Sequence, residues 1–161
     1  MNYLQRQFHT FLDHRQDEKK EIRSLRKTAF DRFNQLGIPT KKWEEWRFTD
    51  FSEFKKNEYR LAWGDDLQEI PKHIPGLIPD THSIIIINGH YQPQLSKLPA
   101  GVSVKSHEEF FQFDRDVYSL NGNKNPFLAL NTALMNSGIA LIVEPDSIIE
   151  KPIQVIYLTT A

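Results

Sequence analysis

The chain has 161 residues, of which 39% are hydrophobic and 25% charged, which suggests one domain, or one domain plus a fragment of a second, with a buried core. It contains no cysteine, which excludes a disulfide framework, a thiolate zinc site, a cysteine nucleophile and thiolate ligation of an iron–sulfur cluster by these residues. Its net charge of -1 excludes a strong overall field that would attract nucleic acid or anionic lipid.

The charge is unevenly distributed, with 14 Lys and Arg against 10 Asp and Glu in residues 1–60, and 6 against 11 in residues 61–161. The first 15 residues are polar and amphipathic, without the apolar stretch of a secretory signal. Apolar runs such as Ile84–Ile87 are far shorter than the roughly 20 residues of a membrane-spanning helix. These features predict a cytoplasmic protein that makes no membrane contact.

Two helices are predicted at the beginning of the chain, because apolar residues recur there at helical spacing. The first helix carries Leu4, Phe8, Phe11 and Leu12, and the second, over residues 18–36, carries Ile22, Leu25, Ala29, Phe30, Phe33 and Leu36. Asp17 or Glu18 is expected at the start of the second helix, where a carboxylate suits the helix dipole. Gly37 is expected to end that helix in the left-handed conformation, and Pro39 prevents its continuation.

An aromatic segment follows the second helix. Its five aromatic side chains are Trp43, Trp46, Phe48, Phe51 and Phe54. Thr40 is expected to cap a short helical turn that carries the first two of them. The favoured interpretation is a small core that fixes the segment against the preceding helix; the alternative is an aromatic binding platform.

The middle of the chain predicts a loop and then a hairpin. Repeated Gly and Pro predict a loop over residues 64–82. The β-branched run Ser83–Ile87 predicts a strand, and the Asn-Gly pair after it favours a two-residue hairpin. Tyr91–Leu95 would return as an edge strand, because it contains a proline.

A short strand and a short helix are expected next. Gly101–Lys105 predicts the strand, and Ser106 with Glu109 has the spacing of a capping box that opens a helix through Phe113.

The last part of the chain predicts one helix and two strands. Asn125 is expected to cap the helix Phe127–Asn136, with Pro126 in its first turn. Ile139–Val143 and Ile153–Leu158 predict strands that are apolar on both faces, as in buried or stacked sheets. Because the second strand lies at the end of the sequence, we expect a partner or further chain to cover it.

No catalytic residue, cofactor-binding residue or metal ligand is predicted. The six histidines are His9, His14, His73, His82, His90 and His107, and none has the spacing of a metal-binding pair. The adjacent carboxylates are Glu44–Glu45, Asp65–Asp66 and Glu108–Glu109, which we expect to be solvated. Glycine-rich phosphate-binding motifs and the nucleophile-elbow motif are absent from the sequence.

Basic residues follow one another along the second helix. They are Lys19, Lys20, Arg23, Arg26 and Lys27. One interpretation is a nucleic-acid-binding helical module, which predicts salt-sensitive binding to duplex DNA or RNA. The favoured interpretation is a solvated helix face on which these cations alternate with acidic residues.

Three ordered stretches resemble the SufD branch of the SufB/SufD family of iron–sulfur cluster assembly proteins. They are Ala29-Phe30 with Leu36–Phe51, then Ile87–Tyr91 with Leu95–Val102, and finally Asn125–Leu134 with Glu150–Ile153. The sequence GIPTKKWEEWRFTDF in the first stretch is similar to a motif near the N-terminus of that branch.

The resemblance implies an N-terminal helical domain, a right-handed parallel β-helix and a C-terminal helical region. It also implies pairing with a SufB-like subunit, contact with a SufC-like ATPase, a scaffold for the nascent cluster and a link to iron supply. A homodimer is compatible with it. Family members continue well beyond the length of this sequence, so the resemblance covers their N-terminal portion.

We therefore expect an α+β fold with a helical and β-hairpin domain at residues 1–120. Residues 125–161 would form a capping helix and the first strands of a β-helix. The expected function is that of a non-catalytic subunit of the iron–sulfur scaffold complex. The resemblance gives this segment no cofactor of its own, because the cluster and ATP belong to the assembled complex.

Overall fold

A computed structural model describes residues 3–61, 63, 73–110 and 124–160 of the chain. These residues form an α+β protein, as predicted. The helices are α1 (Tyr3–His14), α2 (Lys20–Leu36), α3 (Ser52–Lys56), α4 (His107–Phe110) and α5 (Pro126–Ala133). The strands are β1 (His82–Ile87), β2 (His90–Tyr91), β3 (Val102–Ser106), β4 (Ile139–Val143) and β5 (Ile153–Leu158).

The chain divides into two compact units that interleave in sequence. The helical unit comprises residues 1–61 and 116–135, and the strand unit comprises residues 62–115 and 136–161. This division does not follow the predicted boundary between residues 1–120 and 125–161. Helix α5, expected to cap the strands that follow it, belongs to the helical unit, where it packs on α2.

The helical unit is built on the apolar faces of α1, α2 and α5. Its core consists of Phe8, Leu12, Ala29, Phe30, Phe33, Ala129 and Ala133. The rings of Phe8 and Phe30 stack with their centroids 4.1 Å apart and join α1 to α2. The predicted stripes of α1 and α2 are therefore confirmed, although Leu25 and Leu36 are only half-buried.

Helix α2 ends at Leu36, as predicted, and the N–H of Gly37 donates to the Phe33 carbonyl at 2.7 Å. Gly37 has a φ of +70°, but its ψ of 177° is extended and not left-handed helical. Only glycine readily adopts this combination of φ and ψ. The prediction that glycine is needed at this position therefore holds, but the backbone conformation differs from the predicted one.

The amino end of α5 has the predicted cap. The Oδ1 atom of Asn125 accepts hydrogen bonds from the backbone N–H groups of Phe127 at 2.9 Å and Leu128 at 3.4 Å. Pro126 occupies the first turn, where its missing N–H removes no helical hydrogen bond.

The predicted carboxyl end of α5 is wrong by three residues, because the helix stops at Ala133 and not at Asn136. The side chains beyond it contact the β1–β2 hairpin of the strand unit. Asn136 Nδ2 lies 3.4 Å from His90 Nε2, and the Ser137 hydroxyl donates to the Gly89 carbonyl. These tertiary contacts take the place of further helical turns.

Replacing Asn125 by Ala should lower the free energy of unfolding of the helical unit by about 1 kcal/mol, since two N–H groups of α5 lose their acceptor. Asn125→Ser, which keeps a capping oxygen, should lie within a few tenths of a kcal/mol of the wild type. Chemical denaturation followed by circular dichroism measures both values. Equal stability of the Ala and Ser variants would show that the cap contributes nothing.

The strand unit contains two small sheets. The first has the strand order β2-β1-β5, and the second consists of β3 and β4. Strand β1 is the most buried strand, and its Ile85 and Ile87 form a core with Ile156 of β5. The sequence predicted β1, β3, β4 and β5 within one residue of their observed bounds, but apart from the β1–β2 hairpin it did not predict which strands pair.

The hairpin between β1 and β2 is confirmed. Asn88 and Gly89 have positive φ angles of 50° and 86°, which suits a two-residue turn. The return strand is shorter than predicted, since β2 ends at Tyr91 and Pro93–Leu95 forms a 3-10 turn. The predictions for residues 64–72 and 111–113 lie outside the described residues.

Candidate functional site

The open edge of β5 is the main feature of the strand unit. Strand β5 pairs with β1 in parallel over six residues, from His82↔Ile153 to Ile87↔Leu158. In the described part of the chain no other strand pairs with β5. One edge of β5 therefore presents N–H and C=O groups that a further strand can bind.

The pairing pattern identifies the groups on this edge. The N–H of His82 donates to the Pro152 carbonyl at 3.0 Å, and the N–H of Asn88 donates to the Leu158 carbonyl at 2.9 Å. Because N–H groups alternate between the two sides of a strand, Val155 and Tyr157 direct theirs toward the open edge.

Polar contacts extend the β1–β5 pairing beyond both ends of the strands. Before the strands, the Lys151 ammonium donates to the Asp80 carboxylate. After them, the Asn88 amide donates to the Thr160 hydroxyl at 2.8 Å and accepts from the Thr160 N–H at 2.9 Å. These contacts fix the register of the two strands.

A third contact holds the loop before β1 against β5. The side-chain amide of Gln154 donates to the Gly76 carbonyl at 2.7 Å and accepts from the Ile78 N–H at 2.9 Å. The side chain thus binds this loop as a neighbouring strand would, through one donor and one acceptor.

The sequence predicts β4 and β5 as strands of buried or stacked sheets, and in the described structure neither strand is fully buried. On β5, Val155 is 45% exposed and Tyr157 is 74% exposed, whereas their neighbours on β1, Ile84 and Ile86, are buried. The two strands also do not pair with each other, since β4 pairs with β3. Apolar character on both sides of a strand favours burial, but here one side is open in the described residues.

The sheet of β3 and β4 has an apolar face that is not buried either. Its antiparallel register places Val102 opposite Val143 and Val104 opposite Leu141 on one face. None of these four side chains is buried in the described structure. The strand unit therefore has both an open edge and open apolar surface, which are features of an interaction domain.

A buried charge cluster lies in the helical unit. Arg26 is fully buried, its Nε donates to both carboxylate oxygens of Glu18 at 2.9 Å, and its Nη1 reaches the Ala133 carbonyl at 3.4 Å. Its guanidinium carbon lies 4.8 Å from the centre of the Phe11 ring. The cluster joins Phe11 of α1 and Glu18 of the α1–α2 connection, through Arg26 of α2, to the carboxyl end of α5.

These contacts correct two predictions about α2. Glu18 precedes the helix and binds Arg26, so it does not serve the helix dipole from the first turn. The basic run is also not one solvated face, because Arg26 is buried and Arg23 donates to the Leu12 carbonyl at 2.9 Å. The remaining exposed cations, Lys19, Lys20 and Lys27, are too few to favour nucleic-acid binding.

The burial of Arg26 had a signal in the sequence. Arg26 lies four residues after Ile22 and four before Phe30, which places it on the predicted apolar stripe of α2. A charged residue on such a stripe indicates a buried ion pair, and Glu18 was the nearest carboxylate in the preceding loop.

The aromatic segment packs against α5 and not, as predicted, against the preceding helix. The ring centroids of Trp46, Phe51 and Phe54 lie 5.5, 4.8 and 5.8 Å from that of Phe127. None of these rings is fully buried, and Phe48 is 89% exposed. The Thr40 hydroxyl accepts from the Lys42 N–H at 3.4 Å and so caps the turn that leads to Trp43, but it does not cap the 3-10 turn Glu44–Trp46.

The titratable groups with shifted pKa values have local causes. The backbone N–H of Ser52 lowers the pKa of Asp50, with help from its hydroxyl and from Lys41. The backbone N–H and hydroxyl of Ser106 lower the pKa of Glu109, which confirms the predicted capping box at α4. These shifts mark helix capping and do not identify an acid–base pair.

No group of three or more His, Asp or Glu side chains in the described ranges is placed to hold a metal ion. None of the helices in those ranges has both the length and the apolar character needed to cross a bilayer.

Comparison with known proteins identifies a matching family and a relative. A family model described as "SufBD protein N-terminal region" matches residues 3–155. A protein of Synechocystis sp. (strain ATCC 27184 / PCC 6803 / Kazusa), described as an iron–sulfur cluster assembly SufBD family protein, is 28% identical over 145 residues. That alignment covers 83% of this chain and 32% of the relative, so the chain spans about a third of the relative's length.

Proposed function

The chain belongs to the SufBD family, whose N-terminal region it matches, and from this premise we propose that it serves iron–sulfur cluster assembly as a non-catalytic scaffold subunit. The observation that carries the proposal is the parallel β1–β5 pair with an open edge on β5. Such an edge suits a protein that assembles with other proteins by pairing with one of their strands. The proposal assigns this region no resident cofactor and a cytoplasmic location.

The proposed architecture is a parallel stack that begins at β1 and β5. The sequence resemblance implies a right-handed parallel β-helix after the N-terminal domain. In-register parallel pairing, fixed by side-chain contacts beyond both strand ends, is the arrangement from which such a stack grows. A strand supplied by a partner subunit would bind the open edge of β5 as the next strand of the stack.

The proposed partners follow from the SufD resemblance. A SufB-like subunit would pair through the β-helix, and a SufC-like ATPase would bind the region that follows it. The exposed apolar side chains of the strand unit support assembly, since they include Leu141, Val143, Val155 and Tyr157. In this role the chain contributes shape and contact surface, and the assembled complex handles the cluster and ATP.

Co-expression of the protein with the SufB-like and SufC-like proteins of the same genome tests this role. We expect a complex that remains intact through size-exclusion chromatography. Val155→Pro should weaken it, because proline removes an N–H from the open edge without removing a β1–β5 hydrogen bond. Ile148→Ser, at a side chain that is 86% exposed and outside the strands, is the control. Wild-type protein that binds neither subunit would refute the proposed role.

A further inference from the structure

Asn88 and Gly89 form the turn between β1 and β2, and this pair of residues permits a reaction that the proposed function does not involve. The Asn-Gly pair occurs in the sequence at residues 88–89 and 121–122. Gly89 is exposed, and its φ of +86° is a conformation that favours glycine. It has no side chain to shield its backbone nitrogen, so this nitrogen can attack the side-chain amide of the preceding asparagine.

The two reacting groups of this turn have different surroundings. The Gly89 N–H donates no hydrogen bond within the described residues, whereas the Gly89 carbonyl accepts from the Ser137 hydroxyl. The Asn88 amide is bonded at both of its polar atoms. Its Nδ2 donates to the Thr160 hydroxyl at 2.8 Å, and its Oδ1 accepts from the Thr160 N–H at 2.9 Å. The attacking nitrogen is therefore free, and the amide that it would attack is held.

Thr160 directs the Asn88 amide toward the end of β5 and away from the turn. The backbone of Asn88 is held on the same side, because its N–H donates to the Leu158 carbonyl at 2.9 Å. Attack requires the amide carbon of Asn88 to contact the Gly89 nitrogen, so the amide must first turn away from Thr160. Both hydrogen bonds to Thr160 are lost in that movement, and each of them raises the barrier to reaction.

We propose that Asn88 is a site of spontaneous deamidation whose rate is controlled by Thr160. The Gly89 nitrogen, after losing its proton to hydroxide, forms a bond to the side-chain carbonyl carbon of Asn88. The bond from that carbon to Nδ2 breaks, and the departing nitrogen takes a proton from water and leaves as ammonia. Water then opens the resulting succinimide ring to aspartate or to isoaspartate. In total the reaction consumes water and releases ammonia.

The two products have different effects on the turn. Aspartate in place of Asn88 keeps an oxygen that accepts from the Thr160 N–H, and the Thr160 hydroxyl can rotate to donate to the second oxygen. Isoaspartate adds an extra carbon atom to the main chain before Gly89. A two-residue hairpin turn cannot hold that atom without moving the Gly89 carbonyl away from Ser137. The turn therefore tolerates the first product and is disrupted by the second.

The test follows deamidation of the full protein in mildly alkaline buffer by peptide mass spectrometry. Thr160→Ala removes the hydroxyl and keeps the backbone N–H, so Asn88 should react about fivefold faster, the factor that corresponds to a hydrogen bond of about 1 kcal/mol. Thr160→Ser, which keeps the hydroxyl, and Thr159→Ala, at the exposed neighbouring position, should react at the wild-type rate. The pair at 121–122 corrects for differences between samples, and protein unfolded in urea gives the rate without protection.

The result in the variants decides the proposal. Faster reaction of Asn88 in Thr160→Ala, but not in Thr160→Ser or Thr159→Ala, supports it. Equal rates in Thr160→Ala and the wild type overturn it, and so does equal acceleration in Thr160→Ala and Thr159→Ala, which would show a general loosening after β5. If Asn88 reacts in urea but in no folded form, the turn itself blocks the attack and the proposed site is wrong. The experiment needs no partner, so its failure leaves the proposed function unaffected.

Discussion

Replacing Arg26 by Ala is expected to lower the free energy of unfolding of the helical unit by about 3–5 kcal/mol. The guanidinium is fully buried and binds Glu18, with its Nη2 atom 2.8 Å from Oε1. Its removal leaves the Glu18 side chain, which is 4% exposed, as a buried carboxylate without its main partner. It also opens a cavity beside Phe11 and frees the Ala133 carbonyl. Urea denaturation followed by far-ultraviolet circular dichroism measures the loss.

Two further variants show whether the charge pair causes this loss. Lys27→Ala, at the exposed neighbouring position, should change stability by less than about 0.5 kcal/mol. The double replacement Arg26→Met with Glu18→Leu should recover much of the loss, because an apolar pair needs no compensating charge. An Arg26→Ala protein within about 1 kcal/mol of the wild type would contradict the structural role of this pair.

Gly101→Ala is expected to destabilise the strand unit by roughly 2–5 kcal/mol. Gly101 has a φ of +73°, which strains any residue with a side chain. A Cβ atom here would overlap the Ser147 hydroxyl oxygen and lie 3.0 Å from the Ser147 Cβ. The Gly101 carbonyl also accepts from the Glu144 N–H at 2.8 Å, so the backbone cannot move away without losing this bond. Thermal denaturation measures the effect.

Gly89→Ala separates backbone strain from overlap. Gly89 has a φ of +86°, but a Cβ there meets no atom within 4 Å, so only strain of about 1–3 kcal/mol is expected. The double variant Gly101→Ala with Ser147→Gly should regain the part of the lost stability that is due to overlap, because it removes the overlapping side chain. If Gly101→Ala and Gly89→Ala cost the same, the close approach of Ser147 does not limit this position.

Local patterns in the sequence predict most of the helices and strands. The stripe of α2, the Asn125 cap, the capping box at Ser106 and the hairpin at Asn88 each depend on residues that are close in sequence. Short-range geometry determines such features, so one sequence is enough to predict them.

Long-range pairing could not be read from the same signals. The apolar pattern of β5 predicts a strand but is equally compatible with a partner at β4 or at β1. The aromatic segment was expected on α2 because α2 is its neighbour in sequence, whereas it packs on Phe127. In both cases the contact partner lies about 70 residues or more away, and apolar side chains carry little information about which apolar surface they meet.

Hydrogen exchange at the open edge of β5 tests the central claim most directly. In the protein alone, the amides of Val155 and Tyr157 should exchange rapidly, while the Ile156 amide, which faces β1, should be protected. In the complex with its SufB-like and SufC-like partners, strand addition should protect Val155 and Tyr157 as well. Rapid exchange of these two amides in a stoichiometric complex, or full protection in the protein alone, would contradict the account.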